Sequence, residues 1–169
     1  MFIPYLAEEK IAAAVKVVAK KINSDYAGKN PLFLVVLNGA FLFAADLLRC
    51  IDSDGCEVSF VKFSSYAGTE STGKVKELIG LNETLEGRDV IIVEDIVDTG
   101  NTIVQMMDDL AKRKCASVKI AALLFKPEAY RKDVKIDYVG IEIPDAFIVG
   151  YGLDYDGLGR NLKDIYVIK

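Results

Sequence analysis

Residues 90–102 read Val-Ile-Ile-Val-Glu-Asp-Ile-Val-Asp-Thr-Gly-Asn-Thr, and this stretch decides the fold. Its first four residues are all apolar, which is typical of a parallel strand that is buried on both faces. Two carboxylates, Glu94 and Asp95, follow at once, although burying unpaired charge costs free energy. Because ligands bind beyond the carboxyl ends of strands in open α/β sheets, the acidic pair marks a candidate binding site.

The turn after this strand has the features of an anion site. Gly100 permits a positive φ where the chain must turn tightly, and the helical pattern that follows supplies N–H groups and a helix dipole. Thr99 and Thr102 add hydroxyl donors. The neighbouring carboxylates would repel a bare polyphosphate, but they suit sugar hydroxyls or a metal ion. The stretch therefore predicts a ligand with a phosphate and a diol, bound with a divalent cation, as in a phosphorylated ribose.

Apolar runs alternate with amphipathic stretches along the rest of the chain. We predict helices over 6–22, 40–49 and 102–113, and strands over 32–37, 57–63, 75–81, 89–94, 117–124 and 137–143. Residues 64–80 are rich in serine, threonine and glycine, and a loop of this length is usually functional or disordered. The alternation predicts a doubly wound, mainly parallel α/β sheet flanked by helices, in a single domain over 1–169.

The composition agrees with one globular domain. The chain has 169 residues, of which 51% are hydrophobic, too many for a disordered protein. Its formal net charge of −4 disfavours nucleic-acid or membrane partners. Neither a signal peptide nor an apolar run of about 18 residues is visible, so we expect a cytoplasmic protein.

Residues 90–102 resemble the phosphoribosyl-pyrophosphate signature of type I phosphoribosyltransferases. Four further segments resemble the hypoxanthine/guanine phosphoribosyltransferases, in the order that this family requires, and extend the likeness over nearly the whole chain. They are residues 35–40, 65–66 with 71–73, 123–126, and 143–160. The resemblance implies the fold of that family, with a lid loop at about 64–80 and a small hood and base pocket formed from terminal segments at about 144–169.

The implied reaction is purine salvage. A 6-oxopurine displaces pyrophosphate from C1 of phosphoribosyl pyrophosphate through N9, so that hypoxanthine gives IMP and guanine gives GMP. The transition state should resemble an oxocarbenium ion, which the protein would position and stabilise. The resemblance also implies Mg²⁺ as cofactor and a homodimer or homotetramer.

The resemblance gives roles to the acidic strand and the turn. Glu94 and Asp95 would hold the ribose hydroxyls, directly or through Mg²⁺. Asp98 would be the general base or acid facing N7 of the purine; because the chain contains no histidine, a carboxylate or lysine must transfer any proton. The 5′-phosphate would bind Asp98, Thr99, Gly100, Asn101 and Thr102, although some relatives have lysine at the position of Asn101.

Pyrophosphate would bind the N–H groups of the Asn38-Gly39 turn and the side chain of Arg160. Asn38 stands where lysine is familiar in the family, often next to a cis peptide, and Asn-Gly is also an ordinary turn dipeptide. In the lid, Ser65 and Tyr66 would close over the reactants and exclude water.

The base pocket is expected in the last third of the chain. Lys126 would donate to O6 and so select 6-oxopurines over adenine, unless it is a solvated lysine before Pro127. Phe147 would stack on the purine and the main chain of Ile148 would contact the base edge, although both residues could equally belong to the core. Asp154 would help to hold Mg²⁺ or the exocyclic amine region.

Two other functions stay open from the sequence. An enzyme on the same scaffold could use xanthine or another base. A regulator with this fold could bind the ligand, or RNA or DNA, without catalysis. A nucleotide-binding oxidoreductase is disfavoured because no G-x-G-x-x-G follows the first strand.

Overall fold

The computed structural model describes residues 1–65, 75–79 and 84–169, with the backbone alone for 64–65 and 75–79. The elements in chain order are β1 (Phe2–Leu6), α1 (Glu8–Asp25), β2 (Leu32–Leu37), α2 (Phe41–Leu48), β3 (Glu57–Ser65), β4 (Val75–Ile79), β5 (Asp89–Val97), α3 (Asn101–Ala111), β6 (Ser117–Phe125), β7 (Tyr138–Glu142), β8 (Ile148–Val149) and β9 (Ile165–Ile168). Of the predicted loop over 64–80, residues 66–74 and 80 lie outside the described ranges.

Six of the described strands form the main sheet, in the order β4-β3-β2-β5-β6-β7. β3, β2, β5, β6 and β7 pair in parallel, and β4 joins the β3 edge antiparallel. The strand order reverses between β2 and β5, which is where open α/β sheets bind ligands. The predicted mainly parallel, doubly wound sheet is confirmed.

Helices cover both faces of this sheet, as the apolar pattern requires. Phe33 and Ile91 face the core that the sheet shares with α1 and α2. Leu34 and Ile92 point the other way, into the core that contains the buried residues of α3. Because successive residues of β2 and β5 enter opposite cores, both strands are apolar without alternation.

β5 is longer than the sequence indicated. We predicted a strand that stops at Glu94, but pairing with β6 continues to Val97, which lies opposite Phe125. The prediction was wrong because a neighbouring strand, and not the apolar run alone, sets the length of β5. On its other side β5 pairs with β2 only as far as Val93. The acidic pair therefore lies inside β5, at the point where β2 and β5 have separated.

The terminal segments form a second, three-stranded sheet with the order β1-β9-β8. This sheet is the predicted small hood. The sequence did not predict β1. The helix expected over 6–22 begins only at Glu8, so Leu6 belongs to β1 and not to the helix. Phe2 pairs with Ile168 and Pro4 with Tyr166, so β1 depends on a partner from the far end of the chain. Pro4 is tolerated because β1 is an edge strand.

None of the helices in the described ranges combines the length and the apolarity needed to cross a membrane.

Candidate active site

A cavity of about 490 Å³ opens at the carboxyl ends of β2 and β5 and reaches the hood. It collects most of the residues that the sequence singled out: Gly39, Glu94, Asp95, Asp98, Thr99, Gly100, Asn101, Thr102, Lys126, Phe147, Ile148, Asp154 and Arg160. Asn38 is exposed beside it and is not among the lining residues. Tyr66 and the side chain of Ser65 lie outside the described part of the chain.

Glu94 and Asp95 form a desolvated acidic pair. Glu94 is only 6% exposed. Burial, and then the charge of Asp95, raise the pKa of Glu94 well above its ordinary value. Burial likewise raises the pKa of Asp95, although the N–H of Ile96, which donates to its Oδ1 at 2.8 Å, opposes this effect. Because burial disfavours the charged form of both acids, the pair favours hydrogen-bond donors or a cation as ligands.

Two glycines let the β2 turn and the hood approach this pair. A Cβ at Gly39 would overlap Asp95 Oδ2, and a Cβ at Gly152 of the hood would overlap the carbonyl oxygen of Gly39. The peptide between Leu37 and Asn38 is cis. The predicted pyrophosphate turn therefore lies between the acidic strand and the hood.

The phosphate turn is built around Gly100, the N-cap of α3. Gly100 has φ of 92°, and a Cβ there would lie 2.5 Å from a ring carbon of Tyr130. Glycine is thus needed both for the backbone conformation and for the close approach. Because Gly100 has no side chain, it cannot cap the N–H groups of the first turn of α3 itself, and these groups suit an anion. Asp98 and Thr99 are exposed at the cavity.

Lys126 lies directly after β6 and is buried, with 6% exposure, so it is not the solvated lysine that the sequence left open. Its Nζ is 3.1 Å from Asp98 Oδ2 and 3.4 Å from Asp145 Oδ1. The sequence reasoning gave no role to Asp145. Asp145 could have been recognised as a candidate from its position just beyond β7, at the same edge of the sheet as the other candidate residues.

The hood contributes an ion pair and an aromatic ring. Arg160 Nη2 lies 3.2 Å from Asp154 Oδ1, and Arg160 Nη1 donates to the carbonyl oxygen of Gly152 at 2.6 Å. Phe147 is 59% exposed at the cavity, so it is not a core residue. Ile148, in contrast, is buried in the core and also lines the cavity.

Within the described residues, no three histidine, cysteine or acidic side chains form a group that could hold a metal ion. Asp154 therefore does not join Glu94 and Asp95 in one such cluster, although all three line the cavity. Mg²⁺ needs no such cluster, because proteins commonly hold it by one or two carboxylates together with water and substrate phosphates. The acidic pair fits that mode.

Fold and site together define a phosphoribosyltransferase domain. The sequence model of the phosphoribosyl transferase domain family matches residues 4–156. The hypoxanthine-guanine phosphoribosyltransferase of Streptococcus thermophilus strain CNRZ 1066 is 46% identical over 164 residues, which cover 96% of this chain and 91% of that protein. The protein of the same name from Bacillus subtilis strain 168 is 44% identical, over 97% of this chain and 91% of the relative.

A solved structure gives the same result. A crystal structure of a hypoxanthine-guanine phosphoribosyltransferase from Bacillus anthracis superposes with a TM-score of 0.92 at 41% identity, and covers 98% of each chain. The chain belongs to the hypoxanthine-guanine phosphoribosyltransferase family.

Proposed function

We propose that this protein is a purine-salvage pentosyltransferase. It transfers the 5-phosphoribosyl group of phosphoribosyl pyrophosphate to N9 of hypoxanthine or guanine and releases IMP or GMP with pyrophosphate. One observation carries the proposal: a single cavity joins a desolvated acidic pair, a glycine-capped helix N-terminus and a buried lysine. These parts suit a diol, a phosphate and a carbonyl oxygen, which are the groups that the two substrates present.

The phosphoribosyl group would lie along β5 and α3. Its 5′-phosphate would bind the turn from Asp98 to Thr102, where the glycine cap leaves N–H groups for the anion. Its 2- and 3-hydroxyls would donate to Glu94 and Asp95, whose pKa values burial raises. Pyrophosphate would bind the N–H groups at Asn38 and Gly39 and the guanidinium of Arg160, which its bond to the Gly152 carbonyl already orients.

Mg²⁺ is the proposed cofactor, held by Glu94 and Asp95 on the ribose side and by Asp154 on the hood side. When bound, Mg²⁺ would neutralise charge on the phosphate oxygens. Support comes from the acidic pair, because two adjacent carboxylates, Glu94 buried and Asp95 half-buried, are costly without a cation or donors nearby. Asp154 has less need of a cation than the acidic pair, since Arg160 and the N–H of Gly157 already contact its two carboxylate oxygens.

The purine would lie between the phosphate turn and the hood. Lys126 would donate to O6, which adenine lacks, and Asp98 would exchange the proton at N7 as N9 attacks C1. The ion pair between Lys126 and Asp98 places these two groups 3.1 Å apart, close enough to contact neighbouring atoms of one base. Phe147 would stack on the ring, and the main chain of Ile148 would contact its edge.

The proposal has three further features, of which the lid and the oligomer rest on the family resemblance. Closure of the lid by Ser65 and Tyr66 concerns residues outside the described ranges. A homodimer or homotetramer would use exposed apolar residues, for which Phe41 and Phe60 are candidates. A cytoplasmic location agrees with the free thiols of Cys50, Cys56 and Cys115.

The test is an assay of the purified protein with Mg²⁺, phosphoribosyl pyrophosphate and one base at a time: hypoxanthine, guanine, xanthine, adenine or uracil. We expect nucleotide and pyrophosphate with hypoxanthine and guanine, and little product with adenine. Turnover only with another base would overturn the pocket assignment. Ligand binding without turnover of any base would instead favour the regulator.

A further inference from the structure

Asp145 has no role in the proposed reaction, yet it contacts the buried lysine of the base pocket. Lys126 Nζ lies 3.4 Å from Asp145 Oδ1 and 3.1 Å from Asp98 Oδ2. The side chain of Lys126 is 7% exposed, whereas those of Asp98 and Asp145 are 48% and 61% exposed. One desolvated ammonium is therefore shared by two carboxylates that remain open to solvent.

The backbone around Asp145 fixes its position relative to Lys126. The N–H of Ile143 donates to the carbonyl oxygen of Phe125 at 2.8 Å and ties the chain after β7 to the residue before Lys126. The N–H of Ala146 donates to the carbonyl oxygen of Pro144 at 2.8 Å, which closes a three-residue turn around Asp145. The turn leads directly into Phe147. Asp145 thus links the proposed O6 donor to the proposed stacking ring.

The sharing of Lys126 has a consequence for Asp98. A buried ammonium requires a partner, because the cost of desolvating it is large. If Asp98 were the sole partner, its carboxylate would be committed to Lys126 when a base arrives. With Asp145 as the second partner, Lys126 stays compensated while Asp98 turns to the substrate.

We propose that Asp145 is a positioning residue that determines base specificity. It holds the Lys126 ammonium toward the O6 position of the base and keeps it from pairing with Asp98 alone. Asp145 acts through Lys126 and does not itself touch the substrate. This inference rests on the proposed function, in which Lys126 and Asp98 both contact the bound purine.

The first variant is Asp145→Asn, which removes the charge at nearly constant size. We expect the KM for hypoxanthine to rise about tenfold, as the loss of a charged hydrogen bond implies, and the KM for phosphoribosyl pyrophosphate to stay unchanged. The preference for hypoxanthine over adenine, as a ratio of kcat/KM values, should fall. Asp145→Glu, which restores the charge, should recover most of the loss.

Glu57→Gln is the matched control. Glu57 is 60% exposed and pairs with Arg88 at 3.3 Å, much as Asp145 pairs with Lys126, but it stands at the start of β3, away from the carboxyl ends that form the cavity. Its kinetics should equal those of the wild type.

A double-mutant cycle identifies the route of the effect. If Asp145 acts through Lys126, Asp145→Asn causes no further loss of hypoxanthine kcat/KM in a Lys126→Gln background. This inference would be overturned by additive losses, or by an Asp145→Asn variant with wild-type kinetics and base preference. The proposed function would still stand in either case, provided that the wild type turns over hypoxanthine. A wild-type protein that turns over no 6-oxopurine would overturn both.

Discussion

The two halves of the cavity are built in different ways. The phosphoribosyl half lies on β5, the turn and α3, and its candidate residues fall within the nine positions 94–102. The base half takes Lys126 from the position just after β6, Phe147 from the residue before β8, and Ile148 from β8 itself. The first half therefore depends on local sequence and the central sheet, and the second depends on how the hood sits against that sheet.

Two contacts described above join the two halves and help to set their relative position. Gly152 of the hood rests on the carbonyl oxygen of Gly39, which in turn packs against Asp95. Lys126 and Asp98 form the only ion pair among the described residues that joins the base half to the phosphate turn. A substitution in the phosphoribosyl half should consequently change the KM for phosphoribosyl pyrophosphate alone, and one in the base half the KM for the base alone. Substitutions at the contacts between the halves should affect both substrates.

The largest effect should come from Asp98, at the contact between the halves. For Asp98→Asn we expect kcat to fall by about 10²–10⁴-fold, the usual contribution of a general acid or base, with little change in the KM for phosphoribosyl pyrophosphate. Steady-state kinetics with both substrates varied would measure this. Near-wild-type turnover would remove Asp98 as the proton-transfer residue.

Gly100→Ala should damage the phosphoribosyl half alone. The substitution combines a strained φ with a collision against Tyr130, so we expect about 1–3 kcal/mol of lost stability and a phosphoribosyl pyrophosphate affinity at least tenfold weaker. Urea unfolding and calorimetric titration would measure these changes.

Gly87→Ala is the control for Gly100→Ala, because Gly87 has a φ of 73° but no atom within 4 Å of an added Cβ. The Gly87→Ala variant should lose stability only through its strained φ and should keep its affinity for phosphoribosyl pyrophosphate. Equal losses of affinity in both variants would show that the turn is not the phosphate site.

Phe147→Ala should damage the base half alone. Loss of the stacking ring should raise the KM for hypoxanthine about 3–10-fold and leave the KM for phosphoribosyl pyrophosphate unchanged. Val17→Ala, at a 51% exposed valine of α1, serves as the control in the same assay. A matched rise in both KM values for Phe147→Ala would contradict the separation of the halves.

The smallest effect should be a gain of stability for Glu94→Gln without ligand. Since the folded state raises the pKa of Glu94, the wild type loses stability as pH rises from about 4.3 toward that raised value, whereas glutamine does not titrate. We expect Tm to rise by about 3 °C at pH 7 and hardly at pH 4, by calorimetry.

Glu86→Gln, at an exposed carboxylate, should leave Tm unchanged at both pH values. A Tm for Glu94→Gln that is lower than the wild type at pH 7 would contradict the electrostatic account of the acidic pair.

The two halves also differ in how far the sequence predicted them. Residues 90–102 were sufficient to predict that a strand, a turn and a helix follow one another, though not where β5 ends, because apolar periodicity and turn chemistry are local signals. Asp145 escaped notice because its importance comes from a contact with Lys126, and contacts between distant residues leave no periodic pattern. β1 was missed for the same reason, since only pairing with β9 makes it a strand.

The pairing of β1 with β9 has a consequence for biogenesis. β1 leaves the ribosome about 160 residues before its partner β9, a delay of roughly 10–30 s at about 5–20 residues per second. During that time Phe2, Ile3 and Tyr5 belong to an unpaired, apolar strand, which is a template for pairing with other nascent chains. Pairing between neighbouring nascent chains on a polysome would therefore disrupt the hood before it disrupts the central sheet.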